Sequence, residues 1–180
     1  MINKIETDRL VLRKAKLSDL DNIYNNVWSD SSIADNMLWE VTKSREDAID
    51  RLNRTIKYQK DHYAYFICLK DTDEAIGFIG VFEKEKDIYE DSGLCISEKY
   101  QGLGFAKEAV KALIDIIFNE LNGKMFLYSC FNTNEKSRRV CTKLGFKYRN
   151  SKTIIRDYDK KEFIVDYYYL DRDMYLNGGY

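Results

Sequence analysis

The 180-residue sequence predicts an α+β fold: a single domain with one central mixed, mostly antiparallel sheet flanked by about four helices. Three observations carry this prediction. Some apolar stretches alternate with period two and others follow helical spacing. The two kinds succeed one another without the strict alternation of a parallel α/β fold. The length suits one domain with a real core.

The elements follow in order. In Arg9 to Ala15, "RLVLRKA", Leu10 and Leu12 share a face, as in a half-buried strand. Leu20, Ile23, Tyr24 and Val27 then recur at helical spacing, with Ser18 placed as an N-cap. A less regular segment, "SSIADNMLWEV", leads to a second helix over about Ser44 to Lys60, whose stripe is Ala48, Leu52 and Ile56. "HYAYFICLK" and "AIGFIGVFEKEK" read as a hairpin about the turn "DTDE", and "DIYEDSGLCIS" as a further strand. A helix to about Leu121, the strand "KMFLYSCF", a helix from Asn134 to Leu144 and two tyrosine-rich strands around "DYDKK" complete the chain. The domain is read as 1–176, with 177–180, "NGGY", as a flexible tail.

Composition narrows the function classes. With 29 basic and 30 acidic residues the net charge is -1, so no nucleic-acid surface is implied. The charged N-terminus lacks a signal-peptide core, and no apolar run approaches the ~18 residues of a membrane span. Cys68, Cys95, Cys130 and Cys141 form no CxxC, and three of them lie in apolar segments, which suits buried reduced thiols. A soluble, cytoplasmic protein without a metal is expected.

The informative stretch is Ser97 to Val110, "SEKYQGLGFAKEAV". It spends two of the nine glycines, Gly102 and Gly104, between a strand and a helix. A tight turn needing positive φ is one reading. A dinucleotide fingerprint fails because Lys107 stands at the third glycine position, and a Walker loop is absent. What remains open beside the plain turn is a diphosphate site: Gly102, Gly104 and Ala106 leave the first amides of the helix uncovered, where backbone donors and the helix dipole favour an anion.

Gln101-Gly102-Leu103-Gly104-Phe105-Ala106 resembles the acyl-CoA signature of the GNAT acyltransferase superfamily. The resemblance extends upstream to the apolar strand Leu94-Cys95-Ile96 and downstream to Asn134-Glu135-Lys136-Ser137, which runs on to Lys143-Leu144-Gly145-Phe146. The opening "TDRLVLRK" and "AIGFIGV" are similar to the subfamily that includes the ribosomal-protein N-terminal acetyltransferases. The likeness implies a sheet whose fourth and fifth strands splay apart, with the pantetheine of acetyl-CoA paired to the backbone of Leu94, Cys95 and Ile96. The diphosphate would rest on the amides from Gln101 to Ala106, and Asn134 would reach the CoA unless it is only an N-cap.

The chemistry so implied is direct acetyl transfer to an amine, driven mainly by positioning. A backbone N–H at Cys95 or Ile96 would stabilise the oxyanion. Glu90 and Asp91 are the best-placed general bases, with Glu83 and Glu85 behind them; each is otherwise a solvated strand charge. Many family members carry a tyrosine seven residues after the asparagine as acid for the leaving thiolate, and this chain has Cys141 there. Ser137, Val140, Cys141 and Leu144 share one helix face, so Ser137 becomes the candidate donor to the CoA sulfur and Cys141 a buried thiol. His62, the lone histidine, reads as structural.

By family layout the acceptor meets the first two helices and the segment between them, where Trp28, Met37, Leu38 and Trp39 are available, with Tyr63 or Tyr65 nearby. The partners expected are acetyl-CoA and an amine, either a protein N-terminus or a small molecule such as a polyamine, amino-acid derivative or antibiotic. A strongly acidic cleft would favour a polyamine. A CoA-binding module without turnover is the alternative of another class. Nucleic acid and membrane are not expected, and the protein is read as a monomer or homodimer.

Overall fold

Leu10 and Leu12 are fully buried, as their alternation predicts, but Val11 between them is buried too. In the computed structural model, which describes residues 2–178, β2 (Leu10–Arg13) lies between β1 (Lys4–Glu6) and β3 (Tyr63–Leu69), antiparallel to both. The sequence reading has no strand at Lys4–Glu6, because its three residues carry two charges and a single apolar side chain. The other strands are β4 (Ala75–Glu85), β5 (Ile88–Ile96), β6 (Met125–Phe131), β7 (Lys147–Ile155) and β8 (Glu162–Asp171). They form one eight-stranded sheet in the order β1-β2-β3-β4-β5-β6-β8-β7. The β5–β6 pair is parallel, and β3–β4, β6–β8 and β7–β8 are antiparallel. The expected mixed sheet therefore forms.

Six α-helical segments occur among the described residues where about four helices were expected: α1 (Leu20–Ile23), α2 (Ser31–Ala34), α3 (Arg45–Gln59), α4 (Phe105–Asp115), α5 (Glu135–Lys143) and α6 (Arg172–Leu176). The first expected helix is broken up. Its entry is a 3₁₀ turn at Leu17–Asp19, closed by Asp19, not Ser18: the Asp19 carboxylate accepts the Lys16 amide at 2.8 Å and two Arg13 nitrogens at 2.7 and 2.8 Å. A π-helical turn at Tyr24–Trp28 follows α1, and its extra residue lets the successive Val27 and Trp28 both face inward. The other addition, α6, begins where Asp171 accepts the Met174 amide, a cap that a tyrosine-rich strand pattern concealed.

The chain packs as two compact units. The first comprises residues up to Val81 with Ser92–Ala112. Its core joins Ile23, Val27 and Trp28 to Ala48 and Leu52 of α3 and to Phe66, Cys68 and Cys95 of the sheet. The second comprises Phe82–Asp91 and the residues from Leu113 onward. There Phe146 packs edgewise on Phe126 and is tilted against Tyr128, with ring centroids 5.3 and 5.7 Å apart. All four cysteines are free and buried. No helix among the described residues is long and apolar enough to cross a membrane.

Candidate active site

The glycine turn belongs to the first unit, and its backbone explains its composition. Gly102 and Gly104 have φ of +79° and +84°, a region closed to most L side chains. A Cβ at Gly102 would meet nothing within 4 Å, so the turn is open on that side. Gly104 immediately precedes α4 and its carbonyl accepts the Glu108 amide at 3.0 Å. The next amides have no acceptor within their own helix, as at any helix start, and a glycine offers no side chain to cap them. Arg9 and Glu108 brace this turn. Arg9 Nη1 donates to the Leu103 carbonyl at 2.9 Å and Nε to Glu108 Oε2 at 2.8 Å, while Glu108 Oε1 also accepts from the Thr7 hydroxyl at 2.6 Å and the Arg9 amide at 2.9 Å. Burial opposes ionisation of Glu108, but the bonds from Thr7 and Arg9 prevail and hold it below the usual carboxylate range.

The strand segment Leu94-Cys95-Ile96 enters the turn directly. Gln101 Nε2 donates to the Ile96 carbonyl at 2.9 Å, folding the signature residue back onto the strand, and the Ser97 amide donates to Ile76 at 2.7 Å. Gly77 is the close-approach point: a Cβ there would lie 2.2 Å from the Cys95 carbonyl oxygen. Burial pushes the Cys95 thiol up to about 12, which leaves it inert.

The second unit holds the other candidates. Parallel pairing of β5 with β6 covers only Ile88 to Glu90 against Met125 to Leu127. At the next residue Asp91 Oδ1 instead accepts the Ser129 amide at 2.6 Å and the Ser129 hydroxyl at 3.1 Å. Glu90 pairs with Lys84, and Glu83 accepts the Asp87 amide. On α5, Asn134 Oδ1 accepts the Ser137 amide at 3.0 Å, so Asn134 is an N-cap through its oxygen, which leaves its NH₂ group outside the cap. Ser137 Oγ lies 2.8 Å from the Tyr128 hydroxyl of β6. Tyr128 is buried, and burial raises its pKa well above that of a free phenol, so it remains protonated. Cys141 is fully buried, and its thiol is pushed up to about 12.

Within the first unit a cavity of about 750 Å³ is lined by Trp28, Trp39, Arg51, Tyr65, Phe78 and Ser92, among others. Trp28 and Trp39 thus come together, whereas Met37 packs into the core and Leu38 is exposed. The Tyr65 hydroxyl donates to the Ile2 carbonyl at 2.8 Å. His62 stacks on Tyr58, and its Nδ1 lies 2.7 Å from the Tyr58 carbonyl, which fixes the ring at the entry to β3.

A family model described as an acetyltransferase (GNAT) domain matches residues 9–147. The chain belongs to the GNAT acetyltransferase family. It is 31% identical over 169 residues to an uncharacterized N-acetyltransferase, p20, of Bacillus licheniformis, covering 90% of this chain and 91% of that one. Among solved structures, a GNAT-family acetyltransferase from Bacillus anthracis shares the fold with a TM-score of 0.83 at 22% identity, covering 94% of this chain and 99% of that one. A spermidine N-acetyltransferase from Vibrio cholerae, solved with CoA and spermine, does so with a TM-score of 0.75 at 21% identity, covering 95% and 100%. The family assigns acetyl-CoA as the acyl donor, and the protein is an acetyl-CoA-dependent N-acetyltransferase. The turn is open at Gly102, where an added Cβ would meet nothing within 4 Å, and Gly104 has Arg9 as its neighbour. Among the described residues, no group of three or more His, Cys, Asp or Glu is placed to hold a metal.

Three participants were not singled out from sequence. Glu108 and Tyr128 give no periodic signal, because their roles depend on Arg9 and Ser137 brought near by the fold. Arg51 did leave one: it stands at i+3 from Ala48 and next to Leu52, on the edge of the apolar stripe of α3, where a charge is unexpected.

Proposed function

We propose that this enzyme moves an acetyl group directly from acetyl-CoA to a primary α-amine at a protein or peptide N-terminus, as one domain over residues 1–176 in the cytoplasm. The observation that carries the donor site is the glycine turn: two positive-φ glycines, open above Gly102, lead into a helix preceded by Gly104, which has no side chain of its own to cap the first amides. On this reading the amides from Gln101 to Ala106 bind the diphosphate. The backbone of Leu94, Cys95 and Ile96 holds the pantetheine, with an amide of Cys95 or Ile96 receiving charge as the thioester carbonyl becomes tetrahedral. Asn134 donates to the CoA through its NH₂ group, and Ser137, with Tyr128 behind it, returns a proton to the thiolate.

The α-amine reading rests on proton chemistry. An α-amino group with a pKa near ~8 is roughly a tenth neutral at pH 7, whereas a lysine near ~10.4 is neutral in roughly one molecule in 2,500. Glu90 and Asp91 are the proposed proton acceptors, yet each already holds a donor, Lys84 or Ser129, with which an acceptor amine must compete. An acceptor that needs little help from a base matches them. The cavity lined by Trp28 and Trp39 is the proposed acceptor pocket, and its lining mixes Lys43, Arg51 and Arg54 with Glu40 and Asp47. That is not the strongly acidic cleft a polyamine would favour.

The test is calorimetric titration of acetyl-CoA into wild type and Gly104→Trp, followed by thiol release with N-terminal peptides and small amines. Binding lost in the variant and turnover of peptides support the reading. Turnover confined to polyamines would move the acceptor to the small-molecule class.

A further inference from the structure

The cavity of the first unit contains a cation without a counter-ion. The Arg51 guanidinium lies 4.2 Å from the Trp39 ring centroid and 4.7 Å from that of Trp28, and one of its nitrogens donates to Thr42 Oγ1 at 2.9 Å. Among the described residues no carboxylate pairs with it. The acidic side chains of the same wall are engaged elsewhere: Glu40 with Lys43 at 2.6 Å, and Asp47 with the Ser44 hydroxyl and amide at the start of α3. Desolvation lowers the Arg51 pKa to about 10, so the group is charged at neutral pH while lacking the water that would normally stabilise it. Aromatic faces offset part of that cost, and most of its five N–H donors remain unspent. A second donor stands beside it, for Trp39 Nε1 is buried without a hydrogen-bond partner.

A wall that offers a planar guanidinium fork and an indole N–H, while its carboxylates Glu40 and Asp47 are bonded to Lys43 and Ser44, is complementary to a planar pair of oxygens. Resting on the acceptor-pocket reading above, we propose that this cavity selects acceptors bearing a carboxylate, and that Arg51 is the residue that binds it. For a peptide acceptor the carboxylate is an acidic side chain near the N-terminus; for a small one it is an amino acid's own. The guanidinium lies over the faces of the Trp28 and Trp39 rings.

Trp28 and Trp39 are the chain's two tryptophans, so intrinsic fluorescence reads this cavity independently of turnover. Short peptides with Glu at the second position, their Gln counterparts and phosphoserine analogues are titrated into wild type, Arg51→Gln and Arg51→Lys, and the thiol-release KM is measured for each. The proposal expects the Glu peptide to be favoured over its Gln counterpart by at least about tenfold in both readouts, because an unpaired buried donor penalises the neutral analogue. The preference falls to near unity in Arg51→Gln and is partly kept in Arg51→Lys, with acetyl-CoA affinity unchanged in both. Should Arg51→Gln fail to fold, Arg51→Lys carries the comparison, with the Glu-over-Gln preference weakened relative to wild type; an unweakened preference overturns the proposal. Equal binding of Glu and Gln peptides by wild type, a preference that survives Arg51→Gln, or a preference for phosphoserine over Glu overturns the carboxylate assignment. Absence of acetyl-CoA binding to wild type would instead overturn the donor-site reading, while the fluorescence arm still decides for or against Arg51.

Discussion

Two helix starts in this protein solve the same problem in opposite ways. At α5 the Asn134 side chain turns back to accept the Ser137 amide, and Ser44, Asp30 and Asp171 do the same for α3, α2 and α6. α4 begins on Gly104, which has no side chain to turn back. A capped helix start gains about 1 kcal/mol in stability and commits one of its first amides to its own side chain. An uncapped one forgoes that gain and keeps its donors and its dipole for an anion. The difference teaches where to look for a phosphate in a fold rich in helices: at the helix start that gives up its own cap.

The sharpest way to break the comparison is Gly104→Trp, which should abolish measurable acetyl-CoA binding. The new side chain would cover the amides, and its Cβ would already lie 3.4 Å from Arg9 Nη2. The positive φ adds a strain of roughly 1–2 kcal/mol, visible as a lowered Tm but not as unfolding, because Gly104 is exposed. Retained binding in a folded variant would return the turn to a purely conformational role. Asn134→Ala and Asn134→Asp sharpen the other side. The alanine variant should lose the cap and about 1 kcal/mol. The aspartate variant keeps a cap oxygen and should keep stability, so any loss of acetyl-CoA affinity it shows reads the missing NH₂ group together with the added negative charge. If both variants bind acetyl-CoA as wild type does, Asn134 is a cap and nothing more.

What was legible in the sequence follows the same division. Backbone-built features were readable because they demand particular residues at particular positions: Gly102 and Gly104 for a turn with positive φ, Ser44 for the α3 cap, the β-rich runs of the hairpin strands β3 and β4. Features made by side chains meeting across the fold were not. Nothing local in "TDRLVLRK" says that Thr7 and Arg9 will share Glu108, some hundred residues away, or that Tyr128 will face Ser137. The first helix failed for a related reason. A local reading gave Ser18 the cap, but the bidentate Arg13–Asp19 pair, whose side chains are 12% and 2% exposed, outweighed it and pulled the turn one residue along.

Glu108→Gln tests whether the open helix start needs its brace. The effect should be intermediate: acetyl-CoA affinity reduced several-fold, because Arg9 loses the partner that aims it at Leu103, and a change in acid stability with a definite sign. Glu108 has a folded pKa below its ordinary 4.5, so its contribution is present above that value and is lost as pH falls through the lowered one. Wild type should therefore lose stability below about pH 4.5 on this account, and the Gln variant, already without that contribution at neutral pH, should have a flatter acid limb. Thermal unfolding followed from pH 7 to pH 3 reads both, and parallel acid limbs would show that the carboxylate contributes nothing there.

The smallest effect is expected at Tyr128→Phe. The change removes one hydroxyl from a buried bond to Ser137 and leaves the ring packed on Phe146, so stability should fall by about 0.5–1.5 kcal/mol. If Tyr128 supports Ser137 as the donor to the departing thiolate, kcat should fall several-fold while the KM for acetyl-CoA holds, and Ser137→Ala should fall further. The double variant then decides the matter. A loss no greater than that of Ser137→Ala alone means that the tyrosine acts only through the serine, whereas additive losses mean that the two hydroxyls act separately and that the pair is not one proton-donating unit.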